Sequence, residues 1–210
     1  MNSFALKLIA CITMLIDHVG YIFFPKLWIL RTIGRLAFPI FAWQISVGYT
    51  NSSNKVNYFK RLLLFALITQ PIYMYALNPA QLNIFFTLIL GLISIWVYDK
   101  ADNKYVGVFV NSIIFLIAHQ LNVSYGAYGV IIIFLFYIFR NNIVLLFLGQ
   151  LIVVLVYAFD STAFIQIFSL VALMPIILYN GQRGPKLKYI FYAFYPIHLL
   201  GLYLLNICLK

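Results

Sequence analysis

Polar, glycine and proline positions divide the chain into about nine runs that are otherwise almost wholly apolar. They lie near residues 4–24, 34–50, 58–77, 83–98, 105–121, 127–139, 142–158, 162–179 and 188–208. Most approach the roughly 20 residues a helix needs to cross hydrocarbon. In lipid, a helix is the element that satisfies its backbone polar groups within one segment, so each run predicts a transmembrane helix. The sixth run is short and opens in Tyr125-Gly126-Ala127-Tyr128-Gly129, which predicts a tilted, broken or partly buried helix. The first run continues past Asp17-His18 without a small-x-small cleavage site and reads as a retained helix. With no soluble stretch, low-complexity linker or internal repeat in view, residues 1–210 read as one domain. The expected fold is all-α, a polytopic integral membrane helix bundle.

Composition strengthens that reading. At 65% hydrophobic and 9% charged residues, with no Glu, the chain cannot cover a globule with a polar surface. The mean hydropathy is +1.01. The basic residues set an orientation, because Lys- and Arg-rich loops stay cytoplasmic. Lys55, Lys60 and Arg61 follow the second run, Lys100 and Lys104 the fourth, Arg140 the sixth, and Arg183, Lys186 and Lys188 the eighth. The intervening loops 78–81, 122–124 and 160–161 carry no Lys or Arg, which places the N-terminus inside and the C-terminus outside. The net charge of +10 is therefore assigned to topology and lipid-headgroup contact, not to nucleic acid. Cys11 and Cys208 both lie in apolar runs, and no metal-ligand spacing is present.

Candidate chemistry lies at membrane depth. Asp17 and His18 sit inside the first apolar run, where an ionisable residue costs roughly 2.5–3.5 kcal/mol on insertion scales. Lys26, Arg31 and Arg35 occupy the following loop, against the charge rule. Either this stretch is re-entrant or interfacial, or its arginines turn inward to a buried site, Arg35 being the stronger candidate. Gln70, Asn83, Thr87, His119 and His198 fall at similar predicted depth, the arrangement expected of a buried polar cavity. Two readings stay open. In the first, His18 is a general base supported by Asp17, with Arg35, Asn83 or His198 stabilising an oxyanion. In the second, Asp17 pairs with Arg35 as structural glue, His18 bonds a nearby backbone group, and the other polar residues tie helices together.

Motifs in order along the chain carry a family resemblance. Met14-Leu15-Ile16-Asp17-His18-Val19-Gly20, Ile33-Gly34-Arg35-Leu36-Ala37-Phe38-Pro39, Tyr58-Phe59-Lys60-Arg61-Leu62, Leu82-Asn83-Ile84-Phe85-Phe86-Thr87 and Tyr179-Asn180-Gly181-Gln182-Arg183-Gly184 lead to Phe194-Tyr195-Pro196-Ile197-His198. Together they resemble the TraX family. The resemblance implies a polytopic acyltransferase of the bacterial cytoplasmic membrane, after the conjugative-plasmid protein that N-acetylates F-type pilin. It also implies kinship with larger transmembrane acyltransferases that use cytosolic acyl-CoA, in which a first-helix histidine is important, a role that falls to His18. Where an Asp-Tyr-Gly is expected, this chain reads Ser124-Tyr125-Gly126, so the acceptor is left open between a peptide and a glycan.

The resemblance implies acetyl-CoA or another acyl-CoA as co-substrate and no metal. The phosphates of the donor would meet Lys60, Arg61, Arg183, Lys186 and Lys188, and the Asn180–Gly184 turn would offer backbone N–H groups. These cations equally suit topology anchors. A small-molecule or proton-coupled transporter is the rival class, since buried His, Asp and Arg also form proton relays.

Overall fold

The computed structural model describes residues 1–161, 164–185 and 187–209. Among these the chain is helical throughout, apart from loops and a single bridge pairing Leu82 with Val123. The helices run α1 (Ser3–Phe23), α2 (Trp28–Gly34), α3 (Ala37–Asn51), α4 (Lys55–Ala76), α5 (Ile84–Lys100), α6 (Lys104–Gln120), α7 (Gly126–Ile138) and α8 (Ile143–Ser161). A 3₁₀ helix (Phe164–Ala172) leads into α9 (Leu173–Ile177), and α10 (Lys188–Cys208) follows. Helix α1 and residues Tyr189–Cys208 of α10 are long and apolar enough to cross a membrane. Segments 104–120, 126–138, 143–158 and 164–177 are shorter apolar helices.

Each apolar run of the sequence forms helix, with two departures. The stretch between the first two runs contains a helix of its own, α2. Of the eighth run, the described residues form a nine-residue 3₁₀ helix continued by the short α9, not a single α-helix. Pro39 does not interrupt α3, because it stands at the third helical position, where no N–H has an intrahelical partner. Pro71 and Pro196 do lie inside helices, in α4 and α10.

The chain forms two compact units, one of residues 1–41, 71–79 and 154–210, the other of residues 42–70 and 80–153. In the first unit, α1 packs against α2 and α10. Asn2 caps α1 by accepting from the Ala5 N–H at 2.9 Å. Leu6, Ala10, Met14, Asp17 and Gly20 follow helical spacing on the buried stripe, while Leu8, Ile12 and Leu15 face outward. In the second unit, α5, α6 and α7 pack on one another. Ile114, Ala118, Val123 and Val130 form a buried cluster there, flanked by Phe86, Leu90 and Val97. Ser94 on α5 hydrogen-bonds Asn111 on α6, both fully buried.

Candidate functional site

Neighbouring residues of a helix point about 100° apart, and this separates Asp17 from His18. Asp17 faces α2. Its Oδ2 accepts from Arg31 at 2.7 Å and its Oδ1 from Arg35 at 2.8 Å, and Arg31 also reaches the Asp17 carbonyl at 3.2 Å. Arg31 in α2 and Arg35 at its C-terminal cap are one turn apart, so both guanidinium groups meet a single carboxylate. Arg35 further donates to the Arg31 carbonyl at 3.2 Å and to Gln166 Oε1 at 3.3 Å, which ties the clamp to the 3₁₀ helix. Arg31 lies over the Tyr21 ring, 5.0 Å from its centroid. Only glycine fits at position 34, since a Cβ there would stand 2.1 Å from Asp17 Oδ1. The loop cations that broke the charge rule are thus explained for Arg31 and Arg35, which turn inward onto Asp17, while Lys26 is exposed.

His18 faces α10 instead. Its Nδ1 lies 2.7 Å from His198 Nε2, and His198 Nδ1 lies 2.7 Å from the Phe194 carbonyl one turn earlier. The two imidazoles are nearly parallel, 11° apart, with centroids 5.0 Å apart. With so short an N···N approach, that separation sets the rings end to end, not face to face. Phe194 stacks on His198 at 4.7 Å and 21°. The buried Tyr195 ring stands 6.0 Å from His18 and 5.6 Å from His198. Asp17 and His18 are not hydrogen-bond partners among the described residues; the group that orients His18 is His198. A paired imidazole of this kind can take up a proton or attack a carbonyl.

The remaining candidates have surroundings of their own. Asn83, fully buried in the second unit, caps α5 by accepting from the Phe85 N–H at 3.0 Å. Its amide donates to the Ala66 carbonyl and to Gln70 Oε1, each at 2.8 Å, so Asn83 and Gln70 form one polar knot between α4 and α5. Thr87 bonds the Ser124 carbonyl, and His119 is exposed. Lys60 is exposed, and Arg61 is half-buried beside the Tyr58 ring at 5.6 Å. In the first unit Asn180 and Arg183 are exposed, and the Asn180 turn is pinned to the start of the chain. The Asn180 N–H donates to the Met1 carbonyl at 2.9 Å, and the Gln182 N–H to Asn180 Oδ1 at 3.2 Å. Lys186 lies outside the described residues; Lys188 opens α10, its side chain outside the described set. Among the described residues, no group of three His, Cys, Asp or Glu could hold a metal ion.

From sequence, Arg31 was named among the loop arginines that could turn inward but not as a partner of Asp17, although its four-residue spacing to Arg35 was a signal. Gln166 was not singled out; its signal was weaker, a lone amide in the apolar stretch 164–177. A second polar cluster was also missed, at the end of α5. Asp99 accepts from the Tyr49 hydroxyl at 2.7 Å and the Tyr137 hydroxyl at 2.9 Å, beside a cavity of about 260 Å³ also lined by Lys104 and Arg140. The Tyr49 hydrogen bond holds the Asp99 carboxyl below its usual range, helped by Tyr137, Lys55 and Lys104 and opposed by partial burial.

Among the described residues the protein is all-helical with an internal ionisable site, a carboxylate held between two guanidinium groups beside two joined imidazoles, and its apolar helices, two of them long enough to cross a membrane, suggest a membrane protein. Residues 3–206 match the family described as TraX protein, and the chain belongs to that family. A probable fimbrial assembly protein, FimC of serogroup H1, from Dichelobacter nodosus is 30% identical over 94% of this chain and 93% of its own length. An uncharacterised protein of Rickettsia prowazekii is 29% identical over 65% of this chain and 55% of its own. No solved structure matches the chain.

Proposed function

We propose that this protein is a polytopic membrane acyltransferase serving pilus assembly. It moves an acyl group, acetyl being the simplest, from cytosolic acyl-CoA to an amine or hydroxyl of an extracytoplasmic or membrane-presented acceptor. The observation that carries the reading is the His18–His198 pair, held between the two helices able to cross a membrane and adjoining the Asp17 clamp. Membership of the TraX family and the fimbrial-assembly name of a relative support the pilus context. On this reading all nine apolar runs contribute to the membrane domain, with the N-terminus in the cytoplasm. His18 acts as base or nucleophile, Arg35 in the same unit is the candidate for the oxyanion, and Arg183, Lys186 and Lys188 draw the phosphates of the donor; Asn83, whose amide hydrogens are both taken by Ala66 and Gln70, is set aside. The acceptor is a pilin amino terminus or an envelope glycan.

The same imidazole pair would suit a proton relay in a transporter. Acetyl-CoA binding and turnover by detergent-purified protein separate the two. Wild type is expected to bind and slowly hydrolyse acetyl-CoA, and His18→Ala to bind it with turnover lower by roughly 10²–10⁴, the usual contribution of a general base. Folded wild-type protein that neither binds acyl-CoA nor acylates any amine or alcohol would overturn the proposal.

A further inference from the structure

We infer that His198 is a positioning residue that holds His18 in its Nδ1–H tautomer, so that the free lone pair of the pair sits on His18 Nε2. The assignment starts from an atom with one possible role. The Phe194 carbonyl oxygen can only accept a hydrogen bond, so His198 Nδ1, 2.7 Å away, carries the proton. A neutral imidazole has one N–H, which leaves His198 Nε2 as an acceptor. His18 Nδ1, 2.7 Å from that acceptor, must then donate. His18 Nε2 is what remains, an unprotonated nitrogen at the open end of the chain carbonyl–His198–His18. The ring geometry fits, because an in-plane N–H···N bond needs nearly coplanar imidazoles, as the 11° angle gives. Phe194 supplies both the carbonyl and the stacked ring at 4.7 Å that keeps His198 in plane.

The tautomer of a histidine is set by the partner of its other nitrogen, and here that partner lies 180 residues away. The catalytic consequence rests on the acyl-transfer reading; the tautomer does not. When an acceptor O–H or N–H gives its proton to His18 Nε2, the imidazolium formed keeps its Nδ1–H on His198 Nε2, and no proton need reach His198. His198, with its N–H on a carbonyl and its lone pair facing His18, has no donor for an oxyanion. Its role is therefore to position His18.

The test is the ring-nitrogen NMR shifts of full-length protein in lipid nanodiscs, with isotope-labelled histidine and the exposed His119 replaced by Gln. The result expected at mildly alkaline pH is Nδ1 protonated and Nε2 bare in both His18 and His198. An Nε2–H on either residue overturns the inference, and so does a doubly protonated His198. His198→Gln, whose amide can donate to the Phe194 carbonyl while its oxygen accepts from His18, should keep the His18 tautomer; His198→Leu should release it. Should the Leu variant not fold, wild type and the Gln variant still decide. In acyl-CoA turnover, His198→Leu should lose roughly 10²–10⁴ in kcat with KM little changed, and His198→Gln should recover part of it. Wild-type protein with the stated tautomers and no turnover would support this inference and sink the acyl-transfer reading alone.

Discussion

Adding one methyl group at position 34 should unseat the Asp17 clamp. In Gly34→Ala the new Cβ would lie 2.1 Å from Asp17 Oδ1 and 2.3 Å from Asp17 Cβ. Raising the 2.3 Å approach to the 3.4 Å where ordinary contact begins requires about 1.1 Å of separation between α1 and α2. A shift of that size takes the 2.7 Å and 2.8 Å contacts beyond hydrogen-bond distance and opens the clamp. Breaking a buried pair costs about 3–5 kcal/mol, because it leaves charge in a poorly solvated place. On the scale of soluble domains this size, that is a fall in midpoint of roughly 6–20 °C. The assay is thermal unfolding in detergent followed by intrinsic fluorescence, with Gly201→Ala as control. Gly201 lies within α10 with nothing within 4 Å of the added Cβ, so its replacement should be neutral or stabilise by about 0.5–1 kcal/mol. If Gly34→Ala melts with wild type while Gly201→Ala behaves as expected, the close approach and the clamp built on it are wrong.

Other expectations follow from the same geometry. Asp17→Asn keeps the shape but removes the charge that Arg31 and Arg35 share, and should destabilise by about 3–5 kcal/mol in the same assay; Arg35→Gln, which keeps one ion pair, should cost less. Asn83→Ala removes the cap of α5 and the Gln70 partner, a loss of about 1–3 kcal/mol that should appear as earlier hydrogen exchange at the start of α5. Because folding lowers the Asp99 carboxyl value, its contribution is present above the unfolded carboxyl pKa and is lost as pH falls through the lower folded one. Acid unfolding of Asp99→Asn should therefore be less steep than wild type in that window, by a small amount since Asp99 is exposed.

How far the sequence reached depended on the range of the interaction. Hydrophobic runs dictate helices through local backbone satisfaction, so α1, α3–α8 and α10 were legible within a few residues. The 3₁₀ helix at 164–172 was not, since an apolar run carries no mark of its hydrogen-bond register. The Asp17–Arg35 pair could be offered as one reading because the two residues stand close along the chain. Arg31 as second partner needed the observed helix α2, and Gln166 needed a contact across 131 residues.

The histidines make the same division. By itself the sequence determined that ionisable groups lie inside apolar helices, because a charge within such a run cannot be hidden by local folding. It left open whether His18 answers to Asp17, the backbone or another helix. Only the packing of α1 against α10 decided that, by bringing Nδ1 of His18 to Nε2 of His198. Helix geometry turns adjacent residues to different faces, and which neighbour each face meets is settled by the tertiary structure.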